Sequence, residues 1–200
     1  GLVWSRLVHE YLLGAHTPVT PLRAWNADAT RLPARMHSEY LRRLYLRNDL
    51  AEGRYRVGDE PIHLDAIRAP LYVLATERDH VSPWTSVYKI LRLVQAPASF
   101  VLSTGGHNVG IVSPPGGPLA HPEAGYRAGE WAPRQAPDDP WQWFEHARAH
   151  AGSWWPHWQG WLATHSSRRV KARPVAGLRV QGRTVPAPGT YVHGDAEVAA

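Results

Sequence analysis

The chain has 200 residues, enough for one domain of ordinary size or a piece of a larger one, and a hydrophobic share of 44% that can fill a core. It contains no cysteine, which excludes a disulfide scaffold and a thiolate metal site and fits a cytosolic protein without requiring one. The formal charge is +5, carried almost wholly by scattered arginines, with Lys89 and Lys171 as the only lysines. Such a balance suits an anionic, phosphate-bearing ligand, or simply reflects a background rich in Arg, Ala, Gly, Pro and Trp. No apolar run approaches the roughly 18 residues that a membrane span needs, and nothing resembles a zinc finger, a nucleic-acid sheet motif or a basic recognition helix.

Leu2 to Leu13 reads as an amphipathic helix with Val3, Trp4, Leu7, Val8, Tyr11 and Leu12 on one face and Gly14 as its C-cap. It lacks the charged tip and apolar stretch of a signal peptide. The chain opens on Gly1 with the helical register already under way, so the natural N-terminus is expected upstream. A proline-bearing loop follows through Pro18 and Pro21. The spacing then predicts a helix from about Ala34 to Asn48, with Met36, Tyr40, Leu41, Leu44 and Tyr45 as a buried stripe. Val57 to Leu64 has the look of a short edge strand or strand-like loop, broken at Gly58 and Pro61.

Two short apolar runs come next, Leu71 to Ala75 and Phe100 to Leu102, and each reads as a strand. Between them Trp84, Val87, Tyr88, Leu91 and Val94 recur at helical spacing. The two strands are therefore expected to be parallel, joined by a right-handed crossover. From Pro114 a stretch dense in Pro, Gly and Ala reads as irregular surface chain. Order returns at Trp141 to Phe144 and at Gly152 to Leu162, where Trp154, Trp155, Trp158, Trp161 and Leu162 are expected to share one helical face packed on the core, with Ser153 as N-cap. The alternative for that face is an apolar surface for a hydrophobic polymer or a partner subunit. From Ser166 the chain is basic and punctuated by Gly and Pro. There is no internal repeat.

The first apolar strand delivers Asp79 into a loop, and the second delivers His107. A strand, a loop with Asp, a helix, a strand and a loop with His is the closing unit of an α/β-hydrolase triad, where the acid precedes the histidine in chain order. In such a triad the carboxylate accepts the histidine Nδ1–H, fixing its tautomer and stabilising the imidazolium. Both residues fall just past a strand's C-terminal end, where open α/β sheets place their sites. Singly, each reads more readily as a turn aspartate or an unrelated loop histidine; their joint placement brings the triad reading level with that one. His80, beside Asp79, reads as a supporting group or an ordinary loop histidine. Gly105-Gly106 is no phosphate loop and serves to turn the backbone sharply before His107. His63, Asp65, Asp79, His80 and His107 contain no pair at the i, i+4 spacing of a helical metal site, so no metal and no cofactor are expected. The nucleophile is missing: no Gly-x-Ser-x-Gly precedes Asp79, and there is no cysteine.

Several strings then resemble the C-terminal half of polyhydroxyalkanoate synthases. They are Leu2-Val3-Trp4, the run from Trp25 to Pro33, Tyr40-Leu41-Arg42 with Tyr45-Leu46, Glu77 to Trp84, Gly105 to Pro115, Gly152 to Pro156, and Ala187 to Val192. The resemblance runs in order from Leu2 to about Val192; residues 116–136 match no such pattern. It implies the C-terminal part of an α/β-hydrolase fold, parallel strands with crossover helices, truncated before the nucleophile. Residues 1–165 would belong to that catalytic domain and 166–200 would form a basic tail. It also implies an acyltransferase that polymerises (R)-3-hydroxyacyl-CoA into a growing polyester chain with release of coenzyme A. The full-length enzyme would be a cytoplasmic homodimer on the granule surface, without nucleic acid or a membrane span. The nucleophile would be a cysteine in an upstream Gly-x-Cys-x-Gly-Gly box, Asp79 the acid and His107 the base. The chain alone would then be inactive. The rivals are another α/β-hydrolase with a serine nucleophile, a depolymerase or lipase, and a non-catalytic granule-associated fragment. A cysteine or a serine in the upstream box decides between synthase and hydrolase.

Overall fold

The computed structural model describes Trp4 and residues 8–14, 31–172, 177–180 and 182–185. The chain falls into two compact units, one of Gly1–Met36 with Val170–Ala200 and one of His37–Arg169. In the first, Val8–Leu12 forms a π-helical turn. Leu13 N–H closes it on the Val8 carbonyl, and Gly14 follows with φ of 62°. Of the expected apolar face, Trp4, Tyr11 and Leu12 are exposed. The same unit holds a short antiparallel hairpin, Leu178–Val180 with Arg183–Val185. The Trp25 to Thr30 and Ala187 to Val192 strings and the Pro18–Pro21 loop lie outside the described residues.

Helix α1, Ala34–Glu39, runs into a π-helical segment, Tyr40–Leu46. This corrects the expected buried stripe: Met36, Tyr40, Leu41 and Tyr45 are all exposed. The wider π turn rotates successive side chains less far than 3.6-residue spacing assumes, so the apolar positions do not gather on one face. A two-residue hairpin follows, β1 (Arg56–Val57) with β2 (Glu60–Pro61), in place of a single edge strand.

The larger unit is a mixed α/β layer built on one four-stranded sheet. Strand β3 is Leu71–Thr76; α2 (Trp84–Val87) and α3 (Ile90–Leu93) lead to β4, Ala98–Ser103. Strand β5 is Gly125–Trp131, α4 is Pro140–His146, β6 is Ala149–Ala151 and α5 is Trp155–Thr164. The sheet order is β3-β4-β5-β6. β3 and β4 are parallel, in register from Leu71 opposite Ala98 to Thr76 opposite Ser103, while β5 and β6 continue the sheet antiparallel. Strand β5 corrects the expectation of irregular chain after Pro114. It covers the second edge of β4, which is why β4 is buried at all six positions.

Packing follows from the alternation along β4. Ala98, Phe100 and Leu102 point into a core with Trp84, Tyr88, Leu91 and Trp143. The Phe100 ring meets Tyr88 at 5.0 Å and Trp143 at 5.1 Å, both edge to face, the arrangement that ring quadrupoles favour. Burying such a side chain stabilises the fold by about 1.5–3 kcal/mol. Helix α4 starts cleanly because the Asp139 carboxylate accepts the Trp141 N–H and Pro140 occupies the first turn, where its missing N–H costs nothing.

The tryptophan helix is a further correction. Trp154 is buried, but Trp158 is 41% and Leu162 37% exposed. The ridge that meets the sheet is Trp154, His157 and Trp161, whose rings lie 6.3, 5.7 and 5.5 Å from Tyr72. His157 can face inward because the Tyr72 hydroxyl bonds its Nδ1 at 2.9 Å. Burial raises the phenol pKa and lowers that of the imidazole, so the phenol donates to a neutral ring.

Candidate active site

Parallel pairing puts the C-terminal ends of β3 and β4 side by side, and backbone bonds stitch the loops that leave them. Glu77 N–H donates to the Ser103 carbonyl at 2.9 Å and Arg78 N–H to the Gly105 carbonyl at 2.8 Å. The next residue on one loop is Asp79, and two residues along the other is His107. Their side chains meet, His107 Nδ1 to Asp79 Oδ2, at 2.8 Å.

Asp79 is fixed from several sides. Its Oδ1 accepts the backbone N–H groups of Val81 and Ser82, each at 2.8 Å, and the Thr76 hydroxyl reaches Oδ2 at 3.4 Å. The Ser82 N–H, the His107 bond and the Val81 N–H outweigh the opposing effect of burial and lower the carboxyl from 3.8 to about 2. An ionised carboxylate only accepts, so His107 donates through Nδ1 and leaves Nε2 as the basic nitrogen. Asp79 is 9% and His107 48% exposed at the side chain. The pair thus offers a histidine of fixed tautomer, its Nδ1 held by a carboxylate and its Nε2 left free to exchange a proton. That is the chemistry of a general base that later returns its proton as an acid.

The loop that carries His107 is turned by Gly105, at φ of 107°, a region open to glycine. Beyond the histidine the chain makes a helical turn, with Gly110 N–H on the Gly106 carbonyl and Ile111 and Val112 N–H groups on the Asn108 carbonyl. Gly110 seats this turn against β3: a Cβ there would stand 2.4 Å from Thr76 Cγ2 and 3.0 Å from the Thr104 carbonyl oxygen.

His80 points to solvent and makes no hydrogen bond or ion pair to Asp79 or His107. Among the described residues no group of three or more His, Asp or Glu side chains could hold a metal ion, so His63 and Asp65 do not join Asp79, His80 and His107 in one. Thr76 and the Val81 and Ser82 amides were not foreseen as partners of Asp79. The one local signal was an aspartate two and three residues ahead of free N–H groups, the spacing of an Asx turn. At the opposite end of β3 and β4 lies a cleft of about 800 Å³ lined by Leu71, Ala98, Trp131, His157 and Trp161 among others.

No family model matches the chain. Individual proteins do. It is 40% identical over 191 residues to a poly(3-hydroxyalkanoate) polymerase of Methylorubrum extorquens, covering 96% of this chain and 30% of that protein. It is 38% identical over 193 residues to poly(3-hydroxyalkanoate) polymerase 1 of Ectopseudomonas oleovorans, covering 96% and 33%. To the poly(3-hydroxyalkanoate) polymerase subunit PhaC of Cupriavidus necator it is 38% identical over 194 residues, covering 96% and 31%. Nearly all of the chain is therefore homologous to part of these polymerases, and it spans about a third of their length. Among the described residues no helix is long and apolar enough to cross a membrane.

Proposed function

We propose that this chain is the acid- and base-bearing C-terminal part of a polyhydroxyalkanoate synthase with an α/β-hydrolase core, whose nucleophilic cysteine lies upstream of it in the full-length enzyme. The observation that carries the reading is the 2.8 Å bond between His107 and Asp79 at the C-terminal edge of two parallel strands, in a chain similar to polymerases over 96% of its length. A sheet that continues upstream is supported by β3. Among the described residues it pairs on one edge only, and its first four residues are only half-buried.

In this mechanism His107 Nε2 takes the proton of the cysteine thiol. The thiolate, the reactive form of cysteine, attacks the thioester carbonyl of an (R)-3-hydroxyacyl-CoA. A new C–S bond forms, the bond to coenzyme A breaks, and the leaving thiolate takes the proton from His107. In the next half-reaction His107 takes the proton of a hydroxyl group, and the oxygen attacks the enzyme thioester. The ester bond of the polymer forms and the cysteine sulfur leaves, taking the proton back from His107. Asp79 holds the ring and stabilises the imidazolium in both halves. An alcohol competes with water for the acyl-enzyme, so the enzyme lengthens a chain where a hydrolase would release an acid. By the same reading the full-length enzyme is a cytoplasmic homodimer at the surface of polyester granules.

Coenzyme A release by the full-length enzyme tests this. Asp79→Asn and His107→Ala should each reduce turnover by roughly 10²–10⁴-fold, the range for triad members. His80→Ala should do far less. Turnover near wild type in His107→Ala, or greater damage from His80→Ala than from Asp79→Asn, would refute the assignment.

A further inference from the structure

The helical turn that carries His107 ends in the carbonyls of Gly110, Ile111 and Ser113, where intrahelical donors run out; that of Ile111 also takes the Ser113 N–H at 3.0 Å. Three side-chain donors some 40 residues later in the sequence cap them. Trp154 Nε1–H donates to the Gly110 carbonyl at 3.0 Å and Trp155 Nε1–H to the Ile111 carbonyl at 3.1 Å. The Ser153 hydroxyl donates to the Ser113 carbonyl and accepts the Trp155 N–H at 3.0 Å. The N-cap of α5 is Trp154, without a side-chain cap bond, so Ser153 is not the expected N-cap; it stands one residue earlier and anchors the loop. The Trp154 ring is itself wedged, 7% exposed, with its centroid 6.3 Å from that of Tyr72 on β3.

From this geometry we propose that Ser153, Trp154 and Trp155 are positioning residues for His107: a clamp on the far side of its loop that keeps the imidazole seated on Asp79. The inference rests on the reading of His107 as the catalytic base. The turn is held on its near side by Gly110 against Thr76, in the strand that leads to Asp79. On its far side the described bonds from outside the loop are those from residues 153–155. His107 itself is half-exposed and gains one fixed bond, to Asp79. The Arg78 N–H to Gly105 carbonyl bond and the Gly110 packing fix the near side of the loop, and the clamp adds the restraint on its far side. Two indoles serve better than two hydroxyls because a large ring, locked by packing, aims its single N–H in one direction.

Phenylalanine tests the role because it keeps an aromatic ring and deletes the donor. In the full-length enzyme, Trp154→Phe/Trp155→Phe should lower kcat by about 10–100-fold, the scale of a displaced catalytic group. KM for the acyl-CoA substrate should change little, and the loss of kcat should persist at assay temperatures well below the melting point, which falls modestly because Trp154 is buried. Trp155→Phe alone, at a half-buried position, should give a smaller loss of the same kind and serves if the double variant is insoluble. His107→Ala is measured beside them. If His107→Ala abolishes turnover while the phenylalanine variants keep wild-type kcat, the clamp is refuted and the base assignment stands. A loss of kcat that only tracks a fall in melting temperature, or a change confined to KM, also refutes positioning. Full activity in His107→Ala overturns the clamp and the base assignment together.

Discussion

Replacing Gly110 by alanine drives a methyl group into Thr76. The new Cβ would lie 2.4 Å from Thr76 Cγ2, 2.9 Å from its Cβ and 3.0 Å from the Thr104 carbonyl oxygen. Carbon atoms at rest are about 3.5–4.0 Å apart, so the closest contact is short by more than about 1 Å. Thr76 cannot swing aside: it is 1% exposed, sits within β3, and is stiff at χ1 as a β-branched residue. The loop must move instead. Overpacking of this kind costs about 1–3 kcal/mol, and the movement lifts the turn that carries His107. Thr76→Ser removes the offending methyl and keeps the hydroxyl that reaches Asp79. By itself it should cost about 0.8 kcal/mol, one buried carbon. The double variant Gly110→Ala/Thr76→Ser should then be more stable than the sum of the singles by roughly 1 kcal/mol, since the two residues touch. Recovery is partial because the Cβ of residue 76, at 2.9 Å, and the Thr104 carbonyl oxygen, at 3.0 Å, remain. Guanidinium denaturation of the full-length enzyme and its variants measures the cycle, and coenzyme A release measures the loop. An unchanged midpoint for Gly110→Ala, or strict additivity in the double variant, would refute the packing argument.

Asp79 supplies a pH prediction. Its carboxyl is held at about 2 in the folded protein, below the usual 3.8. The stability it contributes is fully present above about pH 4 and lost as the pH falls through 2. Any acid limb of turnover between pH 4 and 7 therefore does not come from Asp79, and carboxyl-carbon NMR should place its titration near 2; a midpoint near 4 would contradict the hydrogen-bond geometry. In thermal melting, Trp154→Ala should cost about 3–5 kcal/mol as a buried ring, and Trp158→Ala, at 41% exposure, distinctly less. Equal losses would mean that Trp158 is covered in the full-length enzyme.

The strand–helix–strand unit was legible because its residues obey simple periods. Leu71 to Ala75 and Phe100 to Leu102 are unbroken apolar runs, and Trp84, Tyr88, Leu91 and Val94 repeat at helical spacing and are all buried. With both strands parallel, the placement of Asp79 and His107 at one edge followed from chain direction alone. Strand β5 was not legible, since Gly125-Tyr126-Arg127-Ala128-Gly129-Glu130-Trp131 has neither an apolar run nor strand formers throughout. The second of its two glycines has a packing reason: a Cβ at Gly129 would stand 2.4 Å from the Trp131 ring and 2.6 Å from Trp143 Nε1. The inward ridge of α5 was misread because it contains His157, which becomes a buried residue only through the Tyr72 hydroxyl on a distant strand. The same holds for Trp154 and Trp155. Their spacing marks a helix start, and their indole partners 44 residues away leave no trace in the local pattern.

The central claim is that His107, seated on Asp79, activates a thiol contributed by the upstream part of the enzyme. The rate at which iodoacetamide alkylates that thiol, followed against pH in the wild type and in His107→Ala, tests it most directly. A cysteine beside a basic imidazole reacts at neutral pH, whereas an unassisted one reacts only as it ionises near about 8.5. The account predicts fast alkylation at pH 7 in the wild type and a profile displaced toward the unassisted value in His107→Ala. Superimposable profiles in the two proteins would contradict it.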